Sequence, residues 1–247
     1  MAMSVTHALV SFLDAFTPCR NKERDIPLMQ KLVHKILQNS LRHFPIEQQR
    51  GTVESLKDSA KIHSDEYRDD DVTPYIIHLL ETTCILIDAK VLEFKILCAA
   101  MLHDVVEKLK NEDDPLLQMK KRLREIHKKY CALVSMIVDF LTKRPDKDKD
   151  TYWKRMLSIK DRTLLWGVLA IKYADRIHNM RTIHGMKNKE SMVRKIEETR
   201  LWFPQIREKL EKALSYLTRD GTLKNRSYRH LPAVLDNQLQ AALMAYN

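Results

Sequence analysis

Two histidines and two aspartates, spread over three segments of the chain, have the types and order that suit metal chemistry. They are His78, His103, Asp104 and Asp175. Mixed imidazole and carboxylate ligation suits a divalent ion such as Mn, Fe or Zn. Such an ion lowers the pKa of a bound water and polarises a phosphoryl group, so the four residues predict metal-assisted hydrolysis of a phosphate compound.

The sequence around these residues bears on whether they form a metal site or an ordinary buried contact. His103 and Asp104 follow the apolar run 96–102, where a carboxylate is costly to bury unless it is hydrogen-bonded or bound to a cation. On its own, the pair is more typical of a satisfied core contact in which Asp104 caps a neighbouring helix. His78 and Asp175 also lie in apolar helical sequence, and helical bundles build metal sites from inward-facing ligands on several helices. The set of four therefore favours the metal interpretation.

Glu107 is the first candidate for a catalytic base. It follows His103 by four residues, which would place both on one face of a continuing helix. A carboxylate there would accept a proton from the attacking water or hold that water in line. The alternative is an exposed helix carboxylate that pairs with a nearby lysine, and the sequence alone leaves both interpretations open.

The elements that must position these residues are helices. The chain has only four glycines and almost no alternating β-branched runs, which predicts an all-α fold. Apolar spacings of three and four residues, together with capping and turn residues, place the helices and the main surface loop. We expect helices at 27–43, 74–89, 92–108, from 115 through the 120s, 132–141, 163–181, 189–217 and 231–246, and a loop at 145–150.

Composition and charge narrow the partners and the compartment. Hydrophobic residues make up 44% of the 247 residues, enough for a buried core, and no apolar run is long enough to cross a bilayer. The net charge of +10 attracts polyanions, but the basic residues lack the aromatic interleaving of single-strand binders. A small polyphosphorylated nucleotide fits this charge, and nucleic acid is the weaker partner. Scattered cysteines and the lack of a signal-peptide pattern predict a cytoplasmic protein, whose oligomeric state the sequence leaves open.

The three segments also carry a family resemblance. They are residues 74–78 (PYIIH), 101–108 (MLHDVVEK) and 173–183 (YADRIHNMRTI). They resemble the PYIxHP, LLHDVVED and LADRLHNMRTL segments in the N-terminal hydrolase domain of the RelA/SpoT-type enzymes, which include stand-alone small alarmone hydrolases. The resemblance spans residues 60–215. It implies an HD-domain helical bundle over 61–220, with an N-terminal helical extension at 1–60 that packs on it and a C-terminal tail with a short helix at 221–247.

The resemblance implies an activity and the residues that carry it. The activity is manganese-dependent removal of the 3′-pyrophosphate from ppGpp or pppGpp, which gives GDP or GTP and pyrophosphate; another divalent ion would also suit the ligands. His78, His103, Asp104 and Asp175 would be the metal ligands. Glu107 would be the first residue of the family's catalytic ED pair, and Lys108 takes the place of the second.

The same resemblance implies where the nucleotide would bind. Asn179 and Thr182 would lie near the ribose and phosphates, and Arg68 would pack on the base, a role that suits its planar guanidinium group. Lys143 and Arg181 lie close to the motifs in the sequence, where they would neutralise phosphates.

Three positions depart from the family pattern and keep other functions open. Lys108 exchanges a carboxylate for a cation that would contact a phosphate, unless the acidic cluster 112–114 supplies the missing group. Leu79 replaces the proline after the ligand histidine, and the loop 69–73 is longer and more acidic than the family's form. An HD phosphohydrolase for another nucleotide, such as an adenosine alarmone, is therefore one alternative. A metal-bound nucleotide sensor with poor turnover is the other.

Histidines outside the proposed ligand set are given structural roles. We expect His63, His127 and His184 to lie on the surface or in loops. His178 belongs to the third segment but falls off the face shared by Asp175, Asn179 and Thr182, so packing is its expected role.

Overall fold

A computed structural model describes residues 12, 19–107 and 114–245, the side chains of 226 and 227 excepted, and these residues form an all-α fold. The only β-structure among them is an isolated bridge between Tyr67 and Pro74. No described helix combines the length and apolarity needed to cross a membrane. The helices are α1 (Lys22–His43), α2 (Ile46–Ile62), α3 (Tyr75–Asp88), α4 (Phe94–Leu102), α5 (Pro115–Lys129), α6 (Ala132–Leu141), α7 (Lys149–Leu157), α8 (Arg162–Arg181), α9 (Lys189–Arg219) and α10 (Leu231–Met244).

Helix α8 is the centre of the fold, because nearly every residue from Leu164 to His178 is buried. It packs against α3, α6, α9 and α10, while α4 packs between α2, α3 and α6. Helices that are apolar all round are expected at the centre of a bundle. Helix α8 carries the predicted ligand Asp175, and α4 directly precedes His103 and Asp104. The helices that form the core therefore also position the predicted ligands.

The predicted helix 92–108 is too long, because α4 ends at Leu102 and residues 103–106 form turns. In a continuing helix, the carbonyl groups of Ala100 and Met101 would accept the amides of residues 104 and 105. Here the Nδ1 atom of His103 lies 2.7 Å from the Ala100 carbonyl oxygen, and the hydroxyl group of Ser59 donates to that of Met101. Side chains therefore bind the carbonyl groups of Ala100 and Met101 that the next helical turn would use, and the helix ends there.

Two other boundaries differ from the prediction. Helix α1 begins at Lys22 rather than at Pro27, because the side chain of Asn21 caps it by accepting the amide of Arg24. Pro27 lies inside the helix and forfeits one backbone hydrogen bond. The loop predicted at 145–150 is shorter, since Asp148 accepts the amide of Thr151 and α7 begins at Lys149.

The terminal helices complete the core. Helix α1 packs on α3, α2 packs on α4, and α10 packs on α8. Leu32, Ile36 and Leu56 from the first two helices and Leu235 and Leu239 from α10 are buried in the common hydrophobic cluster. The proposed boundaries between an extension at 1–60, a domain at 61–220 and a tail at 221–247 stay predictions.

Candidate metal centre and adjoining cavity

Three elements bring the four predicted ligands together. Helix α3 supplies His78, the turn after α4 supplies His103 and Asp104, and α8 supplies Asp175. One ligand atom each from His78, His103 and Asp175 lies within 4.8 Å of the others, and all three residues are buried. The Oδ2 atom of Asp104 lies 3.2 Å from Nε2 of His103 and 3.6 Å from Nε2 of His78. The cluster has the size and donor types of a metal site.

Hydrogen bonds orient both histidines so that Nε2 faces the carboxylates. His103 donates through Nδ1 to the Ala100 carbonyl group, and Nδ1 of His78 lies 2.8 Å from Nδ1 of His178. Fixing the far ring nitrogen in this way orients the ring so that Nε2 would coordinate a bound metal ion, which would take the place of a proton there. Nε2 of His103 is buried and has no hydrogen-bond partner, which is the condition that a bound cation would relieve. The residues present therefore fit a divalent ion.

The electrostatics of the cluster also favour a cation. Burial alone would raise the pKa of Asp104 and of Asp175, but the His103 imidazolium beside Asp104 and the Lys172 ammonium beside Asp175 hold both well below the usual range. Burial would likewise lower the pKa of His103, yet the two carboxylates raise it to about 9. Burial and the nearby Arg68 charge lower the pKa of His78 to about 4. Two ionised carboxylates thus attract positive charge to this point.

Further side chains hold the carboxylates in place. The Tyr75 hydroxyl group donates to Oδ2 of Asp104 at 2.7 Å. Asp175 accepts from the buried ammonium group of Lys172 at 2.8 Å through Oδ2 and from the Asn179 amide through Oδ1. Partners of this kind fix the orientation of metal-binding carboxylates.

The cluster opens into a cavity of about 210 Å³ whose walls carry more positive than negative side chains. Seven lysines and arginines line it, against five aspartates and glutamates. The basic residues are Arg68, Lys143, Lys149, Lys172, Arg176, Arg194 and Lys195. A phosphate-rich anion is the ligand class that such a cavity fits, because each phosphate group would meet a nearby cation.

Glu107 lines this cavity, but it does not reach it from the helix face that was predicted. The helix ends before His103, so the two side chains do not share a helix face. Glu107 instead reaches the cavity from the end of the turn, and its Oε1 atom accepts the backbone amide of Lys143 at 2.8 Å. The other predicted catalytic residue, Lys108, lies outside the described residues.

The predicted nucleotide-binding residues separate into two groups. Arg68, Lys143 and Asn179 line the cavity of the metal centre, and Arg68 donates to the Asn179 side chain at 2.7 Å. Thr182 does not line it, and its hydroxyl group donates to the His178 carbonyl group. Arg181 does not line it either, because its guanidinium group donates to Gln238 on α10.

A second cavity of about 310 Å³ adjoins the first. The two share Arg68, Asp69, Asn179 and Lys195, so the Arg68–Asn179 hydrogen bond stands at their border. Apolar side chains form part of the wall of the second cavity, where Thr182 is also found. They are Leu28, Ile77, Ile183 and Met186. Apolar atoms form a larger share of this wall than of the wall of the first cavity, which suits a ring system better than a phosphate group.

The comparisons with known proteins agree with this architecture. Residues 56–210 match the family model described as the HD domain. The chain belongs to the HD-domain family. The resemblance to the RelA/SpoT-type hydrolase domain is confirmed as well, because relatives with names of that kind match about half of the chain or more.

Three of these relatives have names that state different activities. The guanosine-3′,5′-bis(diphosphate) 3′-pyrophosphohydrolase of Borreliella burgdorferi is 26% identical over 70% of this chain and 25% of its own length. The GTP pyrophosphokinase of Streptomyces coelicolor is 34% identical over 51% of the chain and 14% of its own. The bifunctional (p)ppGpp synthase/hydrolase SpoT of Escherichia coli is 32% identical over 46% and 15%. The matches thus span a quarter or less of the length of these relatives.

Within this HD domain, sequence reasoning missed two histidines. His178 contacts the predicted ligand His78 directly, although packing alone was expected of it. His63 was expected at the surface but is buried, where it stacks on Tyr75 and pairs with Glu66. The sequence signal for His178 was its position three residues after Asp175, which places both on one helix face. No local signal marked His63.

Proposed function

We propose that this HD domain is a manganese-dependent hydrolase that removes the 3′-pyrophosphate from ppGpp-like or pppGpp-like nucleotides. The observation that carries the proposal is that a buried cluster of histidines and aspartates opens into a cavity with a surplus of basic side chains. Relatives named for guanosine polyphosphate hydrolysis also match 70% and 46% of the chain, which supports the proposal.

In this proposal His78, His103, Asp104 and Asp175 hold the metal. A bound divalent ion would supply Lewis-acid polarisation of the phosphoryl group and a more acidic water. Water adds to the phosphorus atom attached to the ribose 3′ oxygen, the bond from phosphorus to that oxygen breaks, and the 3′ oxygen leaves with a proton. The products are the nucleoside 5′-diphosphate or triphosphate and pyrophosphate.

Residues of the chain act on the proton and on the phosphate charge. We assign Glu107 to accept the proton of the attacking water, because it lines the cavity and its Oε1 atom is held by the Lys143 amide. Lys143, Lys149 and Arg176 would stabilise the negative charge that builds on the phosphoryl oxygens. This differs from the sequence-based proposal in dropping Arg181, whose guanidinium group faces α10.

The nucleoside would bind across the border between the two cavities. Arg68 and Asn179 line both, and the guanidinium group of Arg68 lies over the Tyr75 ring at 5.4 Å. A base in the more apolar second cavity would leave the ribose beside Asn179 and the 3′-pyrophosphate beside the metal centre. Thr182 lines the second cavity and would lie on the nucleoside side. Four free cysteines accord with the cytoplasmic location that belongs to the same proposal.

The decisive experiment is incubation of the purified protein with ppGpp and Mn²⁺, followed by ion-exchange separation of the nucleotides. We expect GDP and pyrophosphate from the unaltered protein and neither from Asp104→Ala. Intact ppGpp in both samples, with Mn²⁺ bound to the unaltered protein, would contradict the proposal. A panel that includes the adenosine analogue would then separate a different substrate from a nucleotide sensor, and replacing Mn²⁺ by Mg²⁺, Fe²⁺ or Zn²⁺ would test the metal.

A further inference from the structure

The second cavity contains a buried carboxylate whose hydrogen-bonding capacity is only half used. Asp25 lines the cavity and is 0% exposed. Its Oδ1 atom accepts from Nε of Arg24 at 2.7 Å, whereas Oδ2 is buried and has no hydrogen-bond partner. Buried acceptors are nearly always paired, and a charged one left unpaired is destabilising. The free oxygen therefore calls for a donor from outside the chain.

Arg24 fixes this arrangement. Asp25 lies in the first turn of α1, and Arg24 bridges from it to the loop 69–73 by donating to the Thr73 hydroxyl group at 3.1 Å. The guanidinium group is thus held between helix and loop. Of the two carboxylate oxygens of Asp25, it contacts Oδ1. The Oδ2 atom is buried without a protein donor, and Asp25 is one of the residues that line the cavity.

The missing donor is better supplied by an N–H group than by a metal. Among the described residues, the cluster of His78, His103 and Asp175 is the one with the spacing of a metal site, and Asp25 is not part of it. Four carboxylates and three basic side chains line the second cavity. The chain itself supplies partners for three of these carboxylates, since Asp25 pairs with Arg24, Asp69 with Lys195 and Asp70 with Thr73. Leu28, Ile77, Ile183 and Met186 give the cavity apolar walls that suit a flat ring.

We infer that Asp25 is a specificity-determining residue that reads the edge of a guanine base in the second cavity. Guanine presents two adjacent donors, N1–H and the exocyclic amino group, and a carboxylate accepts both. Adenine presents a lone pair at N1, which a carboxylate repels. The inference rests on the proposed function for the rest of the nucleotide. It assigns base selection to α1, outside the residues 56–210 that match the HD family.

The test compares the binding of GDP, IDP and ADP to the full chain loaded with Mn²⁺, by calorimetry. IDP lacks only the exocyclic amino group, so this comparison needs no variant and does not depend on the folding of one. We expect the unaltered protein to bind GDP more tightly than IDP or ADP. Asp25→Asn should weaken GDP binding about 10- to 100-fold, the range for hydrogen bonds to a charged group, and should leave ADP binding within about twofold.

The matched control is Asp88→Asn, which removes an exposed carboxylate paired with Lys35 at the far end of α3. It should leave all three affinities unchanged. Equal binding of GDP, IDP and ADP by the unaltered protein would overturn the inference, as would an unchanged ratio of GDP to ADP affinity in folded Asp25→Asn. Turnover of ppGpp is measured alongside. If the protein turns over ppGpp but does not discriminate between the bases, only the role of Asp25 is overturned. If Asp25→Asn abolishes a discrimination that the unaltered protein shows, and no turnover is seen, the role of Asp25 is supported and only the hydrolase proposal is overturned.

Discussion

The metal centre and the loop that borders the second cavity are held in opposite ways. At the metal centre, His78, His103 and Asp175 are buried, and each has a hydrogen-bonded partner that orients it. The loop 69–73 is held by side chains at the surface. Asp71 pairs with Lys187 and Asp69 with Lys195, and more than half of the Asp71, Lys187 and Asp69 side chains is exposed.

This difference predicts large effects for substitutions at the candidate metal centre and small effects for substitutions in the loop 69–73. Surface ion pairs contribute about 0–1 kcal/mol each, so the loop tolerates substitution. An orienting partner of a metal ligand typically affects metal affinity or activity 10- to 100-fold. The molecule therefore combines a tightly held candidate metal centre with a loosely held border, and substitutions in the two regions should differ in the size and in the kind of their effects.

The largest effect is expected from Asp175→Asn, which removes a charge from the ligand cluster and leaves Lys172 buried without its partner. Turnover of ppGpp should fall by more than about 100-fold, beyond the range for outer partners, because the metal loses a ligand. Steady-state kinetics and measurement of bound manganese would check this. Asp139→Asn, which alters an aspartate outside both cavities, is the matched control, and activity close to that of the unaltered protein in Asp175→Asn would refute the ligand assignment.

The next effect concerns the support of His78. His178→Ala removes the group that lies 2.8 Å from its Nδ1 atom, so the ring loses its orientation. We expect the affinity for Mn²⁺ to fall about 10- to 100-fold, as for other outer partners, which equilibrium dialysis would measure. His127→Ala, at an exposed position of α5, should have no effect. Equal affinities in the two variants would show that His178 only fills space.

Arg68→Ala should act on substrate binding without disturbing the metal. It removes a guanidinium group from the border of the two cavities and its hydrogen bond to Asn179. Loss of a cation–π contact with a base predicts a rise in KM of about tenfold, with manganese affinity unchanged. Arg50→Ala, at an exposed position of α2, is the control. A large loss of manganese affinity in Arg68→Ala would remove the distinction between the two regions.

The smallest effect is expected at the tip of the loop. Asp71 has a positive φ of 57°, which asparagine also tolerates, so Asp71→Asn removes only the exposed ion pair with Lys187. Unfolding by urea should give a free energy within about 1 kcal/mol of the unaltered protein, and KM should change less than about twofold. A tenfold rise in KM would mean that this charge contributes to substrate binding.

The sequence predicted the helices around the His and Asp cluster better than the border between the cavities, for a physical reason. Helices α3, α6 and α8 were placed within one or two residues, because apolar periodicity reports which face of a helix is buried. The approach of His78, His103, Asp104 and Asp175 followed from the burial of their helices. The end of α4 was wrong because it depends on Ser59, which lies on another helix. Local patterns do not contain such contacts.

The contacts that form the border between the two cavities could not be predicted from the sequence, because they join segments that lie far apart along the chain. Arg24 reaches Thr73, and Lys195 reaches Asp69 across more than one hundred residues. The position of Asp25 in the wall of the second cavity depends on how α1 packs on α3, which no motif records. Arg181 was misassigned for the same reason, since the position of α10 decides where its guanidinium group goes.

Helix α8 has a consequence for how this protein can change over evolutionary time. Lys172, Asp175, His178 and Asn179 all project from it, so a shift of one residue along its axis, about 1.5 Å, would displace all four groups together. An insertion or deletion in this helix would therefore disturb the whole candidate site in a single step. Under the proposed function, α1 and the loop 69–73 are places where a new preference for one nucleotide over another would arise, because single substitutions there leave the four predicted metal ligands unchanged. Descendants of this chain can thus diverge in what they recognise while they retain the same chemistry.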